Sequence, residues 1–466
     1  MISKVLSLNL SLIVTTSLLA AQASVVENVS KLHEVEVAQV IRPSTLAELA
    51  FTVKNSSRPL SIGGGRFSMG GQIAQSQSKH IDMRGLNKIL AVDEHAKTVA
   101  VQAGATWRDV QEAIDPFNMS IKIMQTYANF SVGGSLSVNA HGRYIGEGPI
   151  VKSVLSINVM QADGTIMTAT PKKNSDLFFG VIGGYGGLGI IVEAKLQLEE
   201  NIKLEKRTAL ISAQEYKSYF FKNIRDNQKV LLHNGDLYPP SYDTVRSESW
   251  LETNKPLTNL DRLQPKDKKY WLEPSVISLI SSVPFGTTMR SDLIDPFLDK
   301  NEVVVWRNYE ASYDVSMLEP TTPRWLWTYV LQEYFVPVKN FHRFLSDMKD
   351  ILQKFDVNVV NVSIRHALPD PGTVLAWASE EVFCFVIYYK QGTSRKAQKH
   401  VTNWTNELID TALRNDGRYY LPYQIIASQN QFETAYPGYR KFQALKKKYD
   451  PNKKFQNTLI NHYFKL

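Results

Sequence analysis

Ile62-Gly63-Gly64-Gly65-Arg66-Phe67-Ser68-Met69-Gly70-Gly71-Gln72 follows the proline-led Arg58-Pro59-Leu60-Ser61, so a short strand runs into a loop nearly devoid of Cβ atoms. Such a backbone admits positive φ and lets successive N–H groups converge on an anion. A second glycine-rich stretch, Ser131-Val132-Gly133-Gly134-Ser135-Leu136-Ser137-Val138-Asn139-Ala140-His141-Gly142-Arg143, comes later in the chain. A third is Gly183-Gly184-Tyr185-Gly186-Gly187-Leu188-Gly189-Ile190-Ile191. Any one alone is more simply a glycine-rich turn. Together they point to a dinucleotide whose pyrophosphate is cradled by backbone. The strand–GxGxxG–helix unit followed by an acidic residue is absent, which argues against a Rossmann domain.

Around these loops the local signals alternate between strand and helix. Ser44-Thr45 ahead of Leu46, Leu49, Ala50 and Val53 predicts a helix over 46–55. Ile81–Met83 and Thr98–Gln102 read as strands, and Arg108–Ile114 as a helix. Val154–Met160 alternates strictly, and Ala162-Asp163-Gly164-Thr165 turns it back as a hairpin into Ile166–Ala169. Residues 30–200 therefore form one α+β unit. Past Glu199-Glu200-Asn201 the chain becomes aromatic and proline-rich. Leu331–Pro337, Val357–Arg365 and Val382–Tyr389 read as strands, Val338–Phe355 and Ser394–Leu413 as amphipathic helices. This pattern predicts a second domain, an antiparallel sheet backed by helices. Expected limits are 30–202 for the first domain, 203–412 for the second, and 413–466 for a C-terminal segment that is no loose tail.

The chain has 466 residues, 43% hydrophobic and 21% charged, enough for two sizeable cores. The net charge of +8 is spread along it, and the densest basic run, Lys446-Lys447-Lys448, reads as a solvated helix face. Nucleic acid is therefore not an expected partner. Lys4 followed by the apolar Val5–Leu19 and Ala21-Gln22-Ala23 fits an export signal over 1–23. The expectation is an exported protein, periplasmic or secreted, with an uncleaved N-terminal anchor as the alternative and no other span long enough for a bilayer. A single cysteine, Cys384, excludes an intrachain disulfide. No His/Asp/Glu spacing suggests a metal, and no Ser/His/Asp signature occurs.

The three glycine stretches, in this order and spacing, and the closing Lys446–Leu459, resemble the vanillyl-alcohol-oxidase-type (PCMH-type) FAD-linked oxidoreductases. The likeness is strongest over 35–200 and weakest over 205–320, and the aldonolactone, alditol and decaprenylphosphoryl-ribose oxidases are the most similar branches. It implies FAD bound by Gly63, Gly64, Gly65, Arg66, Phe67, Ser68 and Gly70 in the first loop. Gly133, Gly134, Ser135, Asn139, His141 and Gly142 would serve from the second, and Gly187, Gly189 and Ile191 from the third. The 203–412 domain would cap the reactive face of the flavin. Many members carry Gly-Gly-Arg-His-Ser with the histidine linked to flavin. Here Phe67 takes that position, which implies noncovalent FAD.

In such enzymes the flavin accepts a hydride while the protein orients the alcohol and handles its proton. Arg365 and Ser363 share one face of the 357–365 strand; alditol oxidases place an arginine similarly. Gln332 and Tyr334 match a ribose-oxidase strand whose polar side chains line the substrate. Tyr423 falls near the position of an active-site lysine absent here. Cys384, on an apolar strand, reads as an inert buried thiol. The resemblance thus implies oxidation of a carbon-bound hydroxyl on a sugar-like, polyol or aldonolactone substrate with O2 as acceptor. A dehydrogenase using a quinone or other carrier, an aromatic-alcohol oxidase and a non-catalytic flavin binder are the alternatives.

Overall fold

The strand that enters the first glycine loop, Leu60–Gly63, lies at one edge of a three-stranded parallel sheet with Lys79–Asp82 and Gln39–Ile41. The computed structural model describes residues 24–464 apart from 267, 271, 283–285, 287–301 and 319–322, so the segment 1–23 read as an export signal lies outside it. Parallel strands need a crossover, and the helix Leu46–Asn55 supplies one. Thr45 caps it by accepting from the Glu48 N–H at 3.1 Å, and Leu49 and Val53 are buried.

Beyond the loop a six-stranded antiparallel sheet is built round Ile190–Glu200, which leaves the third glycine stretch. The expected hairpin is present, Ile166 pairing with Met160 across the turn. The second glycine stretch, read as a loop, instead winds a short helix, Val132–Ser137, from Ser131. Its two glycines allow the tight approach of Gly133 to Ala103.

The cap is one eight-stranded sheet. Its strands run in the order Val304–Trp306, Lys203–Ser212, Thr244–Glu252, Val230–Leu237, Val359–Ala367, Val382–Gly392, Trp327–Pro337 and Arg418–Tyr419. The helices Phe341–Lys354 and Arg395–Arg414 back it, as the α+β reading expected. The strands at 203–212, 230–237 and 244–252 were not legible, because their buried faces mix Arg246, Ser247, Ser249 and His233 with apolar residues.

The C-terminal segment first adds Arg418–Tyr419 to the eight-stranded sheet and then packs on the glycine-rich part of the chain. Phe455 bridges Leu60 in parallel, Lys454 Nζ donates to the Val53 and Ala162 carbonyls, and Asn457 Nδ2 donates to the Tyr185 carbonyl. The solvated-face reading of the lysine run needs correction at Lys446. Its ammonium is buried, donating to the carbonyls of Gly187 (2.7 Å) and Phe455 (2.6 Å) and to Asp450 Oδ2 (2.5 Å). Three adjacent lysines span about 200° of a helix and cannot share one face, and only Lys446 points inward. Among the described residues no helix is long and apolar enough to cross a membrane.

Candidate active site

The cap sheet turns one face toward the glycine loops and encloses a cavity of about 710 Å³. A smaller one of about 70 Å³ continues it toward the third glycine stretch. Gly64, Ser68, Ile73, Gly134 and Val138 border both, so the cleft is elongated and glycine lines its waist. Side-chain atoms cannot be added there: a Cβ on Gly64 would stand 2.1 Å from Ser131 Oγ, the atom that accepts the Gly65 N–H at 3.1 Å. Arg66 follows in the left-handed region, φ 64°, and turns its guanidinium back to Asp82 at 3.6 Å. Its Nε, like Thr126 Oγ1, is buried without a partner, and both residues line the larger cavity.

These features fit FAD. At the waist Gly64 and Gly134 bring backbone to the wall where a Cβ would meet Ser131 Oγ, as a pyrophosphate cradle requires. Arg66 and Thr126, each holding a buried polar atom without a partner, line the space a polar cofactor would fill. Gly64, Gly65, Arg66, Phe67, Ser68, Gly134, Ser135 and His141 line the larger cavity, while Gly133, Gly189 and Ile191 line the smaller. Phe67 lines the larger cavity and packs at right angles on Phe130 with ring centroids 4.4 Å apart.

Five expected cofactor residues lie outside both walls. Gly63 sits over the buried His80, Gly70 against the Tyr423 carbonyl, Gly142 against the Met124 carbonyl and Gly187 against Ile460. Asn139 is tied to Asp370 (2.7 Å) and Thr373 (3.3 Å). These positions shape the loops from behind.

On the cap side the structure brings together Ser363, Arg365 and Tyr423. Arg365 Nε is buried and unpaired. Ser363 Oγ accepts from Asn361 Nδ2 at 3.1 Å and stands 3.4 Å from Asp236 Oδ1. Gln332 and Tyr334 require correction: they face the helices behind the sheet. Gln332 Nε2 donates to Tyr389 Oη (2.9 Å) and Thr405 Oγ1 (2.7 Å), and Tyr334 Oη donates to Gln332 Oε1 (2.6 Å). Side chains alternate along a strand, so the cavity receives their neighbours Leu331 and Glu333. Both faces of this strand are buried, and hydrophobic alternation therefore carried no sign of its orientation.

Glu333, which sequence reasoning passed over, is 3% exposed and stands 2.5 Å from His141 Nε2. Its other oxygen lies 3.4 Å from Tyr423 Oη. Burial, with Glu333 adding to it, pushes the Tyr423 hydroxyl well above its ordinary value. Cys384 is fully buried and its thiol is pushed well above its ordinary value, again by burial, consistent with an inert thiol. His141, Glu333 and Cys384 bring ligand atoms within 4.8 Å of one another, a grouping that sequence spacing cannot show. The His141–Glu333 hydrogen bond accounts for two of the three without a metal.

A single chemical change tests the cradle. Gly64→Ala is expected to displace Ser131 and free the Gly65 N–H, costing about 1–3 kcal/mol and lowering the flavin-to-protein ratio of the purified protein. An unchanged ratio would show that the waist is wider than this geometry.

Comparison with known proteins agrees with the resemblance. The model for an FAD binding domain matches residues 37–170, and that for D-arabinono-1,4-lactone oxidase matches 245–463. The mitochondrial L-galactono-1,4-lactone dehydrogenase of Arabidopsis thaliana is 32% identical over 225 residues, covering 47% of this chain and 36% of that protein. The match thus spans about a third of that relative's length. L-gulonolactone oxidase of Mus musculus is 21% identical over 94% of this chain and 98% of its own. Cytokinin dehydrogenase 9 of Oryza sativa subsp. japonica is 22% identical over 88% of this chain and 83% of its own. The lactone dehydrogenases of Arabidopsis, Brassica oleracea and rice are mitochondrial, which overturns the expectation of an exported or N-terminally anchored protein. A cation, an apolar run and small residues make up a pattern of composition, and that pattern does not by itself specify a destination.

Proposed function

The chain belongs to the PCMH-type FAD-linked oxidoreductases, in the aldonolactone-oxidase branch, and from that premise we propose that it oxidises a carbon-bound hydroxyl of an aldonolactone, sugar-like or polyol substrate, with O2 as acceptor. FAD would be held without a covalent bond by the 37–170 domain, with domain limits at 30–202, 203–412 and 413–466. The observation that carries the reading is Arg365, its Nε buried and unpaired, lining one cavity with Ser363, Tyr423 and the glycines of the first two stretches.

FAD, once bound, supplies the hydride acceptor. The chain's own residues do the rest. Gly64–Ser68 and Gly133–Ser135 would hold the pyrophosphate region with backbone N–H groups. Arg365 offers donors to a lactone carbonyl or hydroxyl oxygen, where a buried guanidinium acts in a low dielectric. Ser363, anchored by Asn361 and Asp236, presents a hydroxyl of fixed orientation. The apolar Val276, Ile277 and Ile280 of the helix Leu272–Ile280 close the side and exclude water. Noncovalent attachment rests on Phe67, which has no group able to bond a flavin carbon.

The purified protein is expected to be yellow, and acid precipitation to leave the flavin in the supernatant. Anaerobic addition of members of an aldonolactone and polyol panel should bleach the bound flavin, and air should restore it. A colourless protein that takes up no FAD, or flavin that no alcohol bleaches, would overturn the reading. Slow recovery in air with fast recovery on adding a quinone would move the acceptor from O2 to a carrier.

A further inference from the structure

We propose that Glu333 is the final acceptor of the substrate's hydroxyl proton, reached through the Tyr423 hydroxyl and positioned by His141. The inference rests on the alcohol oxidation proposed above.

Two carboxyl groups line the cavity among the described residues, Glu273 and Glu333. Glu273 sits on the partly exposed helix at the side, whereas Glu333 lies deep, 3% exposed, on the sheet face opposite the glycine cradle. A buried carboxylate is costly unless its lone pairs are satisfied. Glu333 Oε1 is satisfied by His141 at 2.5 Å, and Oε2 is left facing Tyr423 Oη at 3.4 Å. That second oxygen is open to a proton arriving from the cavity.

His141 is fixed on all sides. Its ring packs at 5.0 Å from Trp377, 5.7 Å from Phe335 and 6.3 Å from Tyr420. Nδ1 faces the Gly142 carbonyl at 3.2 Å, an acceptor only, so this bond requires the hydrogen on Nδ1. Nε2 faces a carboxyl oxygen, so a further hydrogen must lie between Nε2 and Oε1. The pair therefore holds one proton more than a neutral imidazole and a carboxylate. With that proton on the ring, imidazolium and carboxylate are jointly neutral, and a proton received on Oε2 leaves one positive charge, which balances the negative charge that the hydride carries away from the substrate.

Tyr423 is the link. Burial disfavours its ionised form, so its hydroxyl passes one proton as it receives one. In the step, the carbinol C–H bond breaks with its electron pair going to the flavin, and the O–H bond breaks toward Tyr423 Oη. Tyr423 gives its own proton to Glu333 Oε2, and the carbinol becomes a carbonyl. Two electrons leave the substrate, one proton rests on Glu333, and that proton departs with the reduced acceptor. Besides His141 and Tyr423, the titratable or charged groups facing this pair are Tyr185, Arg365, Cys384, Tyr420 and Tyr436.

The test is E333Q in the FAD-loaded enzyme, with an aldonolactone that bleaches the wild type. Anaerobic flavin reduction is expected to slow about 10²–10⁴-fold with little change in substrate Kd or flavin content. The acid limb of its pH profile should disappear, and E333D should recover part of the rate. In wild type, the substrate-reduced minus oxidised infrared difference spectrum should show a protonated-carboxyl band that shifts in D2O and is absent from E333Q. An E333Q enzyme with wild-type reduction rate and pH profile, or with the carboxyl band retained, overturns the inference. So does a loss confined to Kd. If no alcohol reduces the wild-type flavin, the underlying oxidation fails and takes this inference with it.

Discussion

Lys446→Met is expected to destabilise the protein by about 3–5 kcal/mol, the cost of removing one partner from a buried ion pair. The Lys446 ammonium is 1% exposed and Asp450 0%, and Nζ also serves the Gly187 and Phe455 carbonyls. Asp450 would retain the N–H groups of Lys454 and Phe455, each at 2.8 Å, but would lose the countercharge that Lys446 supplies at 2.5 Å. The two carbonyls would be left to find donors in a dry interior. Gly187 belongs to the third glycine stretch, whose neighbours Gly186 and Gly189 line the smaller cavity, so weakened FAD retention should accompany the loss of stability. Urea unfolding with flavin release as a second probe measures both. Adding Asp450→Asn to Lys446→Met removes the stranded charge and should recover part of the loss, a coupling that a double-mutant cycle isolates. A Lys446→Met protein with the wild-type urea midpoint would show the ammonium to be dispensable.

The second large expected effect is acid lability between pH 6.5 and 4. Burial lowers His80 from its ordinary value of 6.5 to about 4, and His233 to about 3. His80 lies beneath Gly63 with Nδ1 3.0 Å from Ser61 Oγ. His233 is held by Tyr216 Oη at 2.8 Å and Ser249 Oγ at 2.9 Å, both neutral partners. Below pH 6.5 the unfolded chain binds a proton at each histidine while the native state does not. Stability therefore rises with pH across this window and is lost as pH falls. At up to about 1.4 kcal/mol per pH unit for each group, the two together reach about 6 kcal/mol by pH 4, a large fraction of a typical domain's stability. Glu381, held at about 2 chiefly by the His366 hydrogen bond and further by Arg225, adds to the loss only below its ordinary value of 4.5. Between pH 5 and 6.5 one carboxyl opposes the histidines. Glu310, raised to about 7 chiefly by burial, is protonated in the native state but ionised in the unfolded chain. It offsets about one histidine's share and leaves a net fall of up to about 1.4 kcal/mol per pH unit for urea midpoints to test. A flat midpoint across that interval would mean that these rings are protonated in place.

Much of the chain order was legible because its causes are local. Thr45 and Ser394 announce helices through the N–H groups they cap. Strict alternation marks the hairpin at 154–169, and the three glycine stretches mark the backbone that must pass close to something else. The same local signals fail where both faces of an element are buried. On Trp327–Pro337 the polar Gln332 and Tyr334 drew attention, yet they hydrogen-bond to each other and to the helices behind. On the helix Tyr439–Tyr449, three successive lysines looked alike.

By itself, then, the sequence determined the α+β class, the glycine stretches that let backbone pass close to a neighbour, and the pairing of Arg365 with Ser363 on one strand face. Each follows from a period of two, a period of 3.6 or a missing Cβ, which neighbouring residues set among themselves. Only the tertiary structure decided that Glu333 enters the cavity, that His141 meets it across 192 residues of chain, and that Lys446 closes the C-terminal segment onto Gly187. Which face of a doubly buried strand meets the cofactor, and which lysine of three is drawn inside, depend on what packs against them, and those partners are remote in the chain.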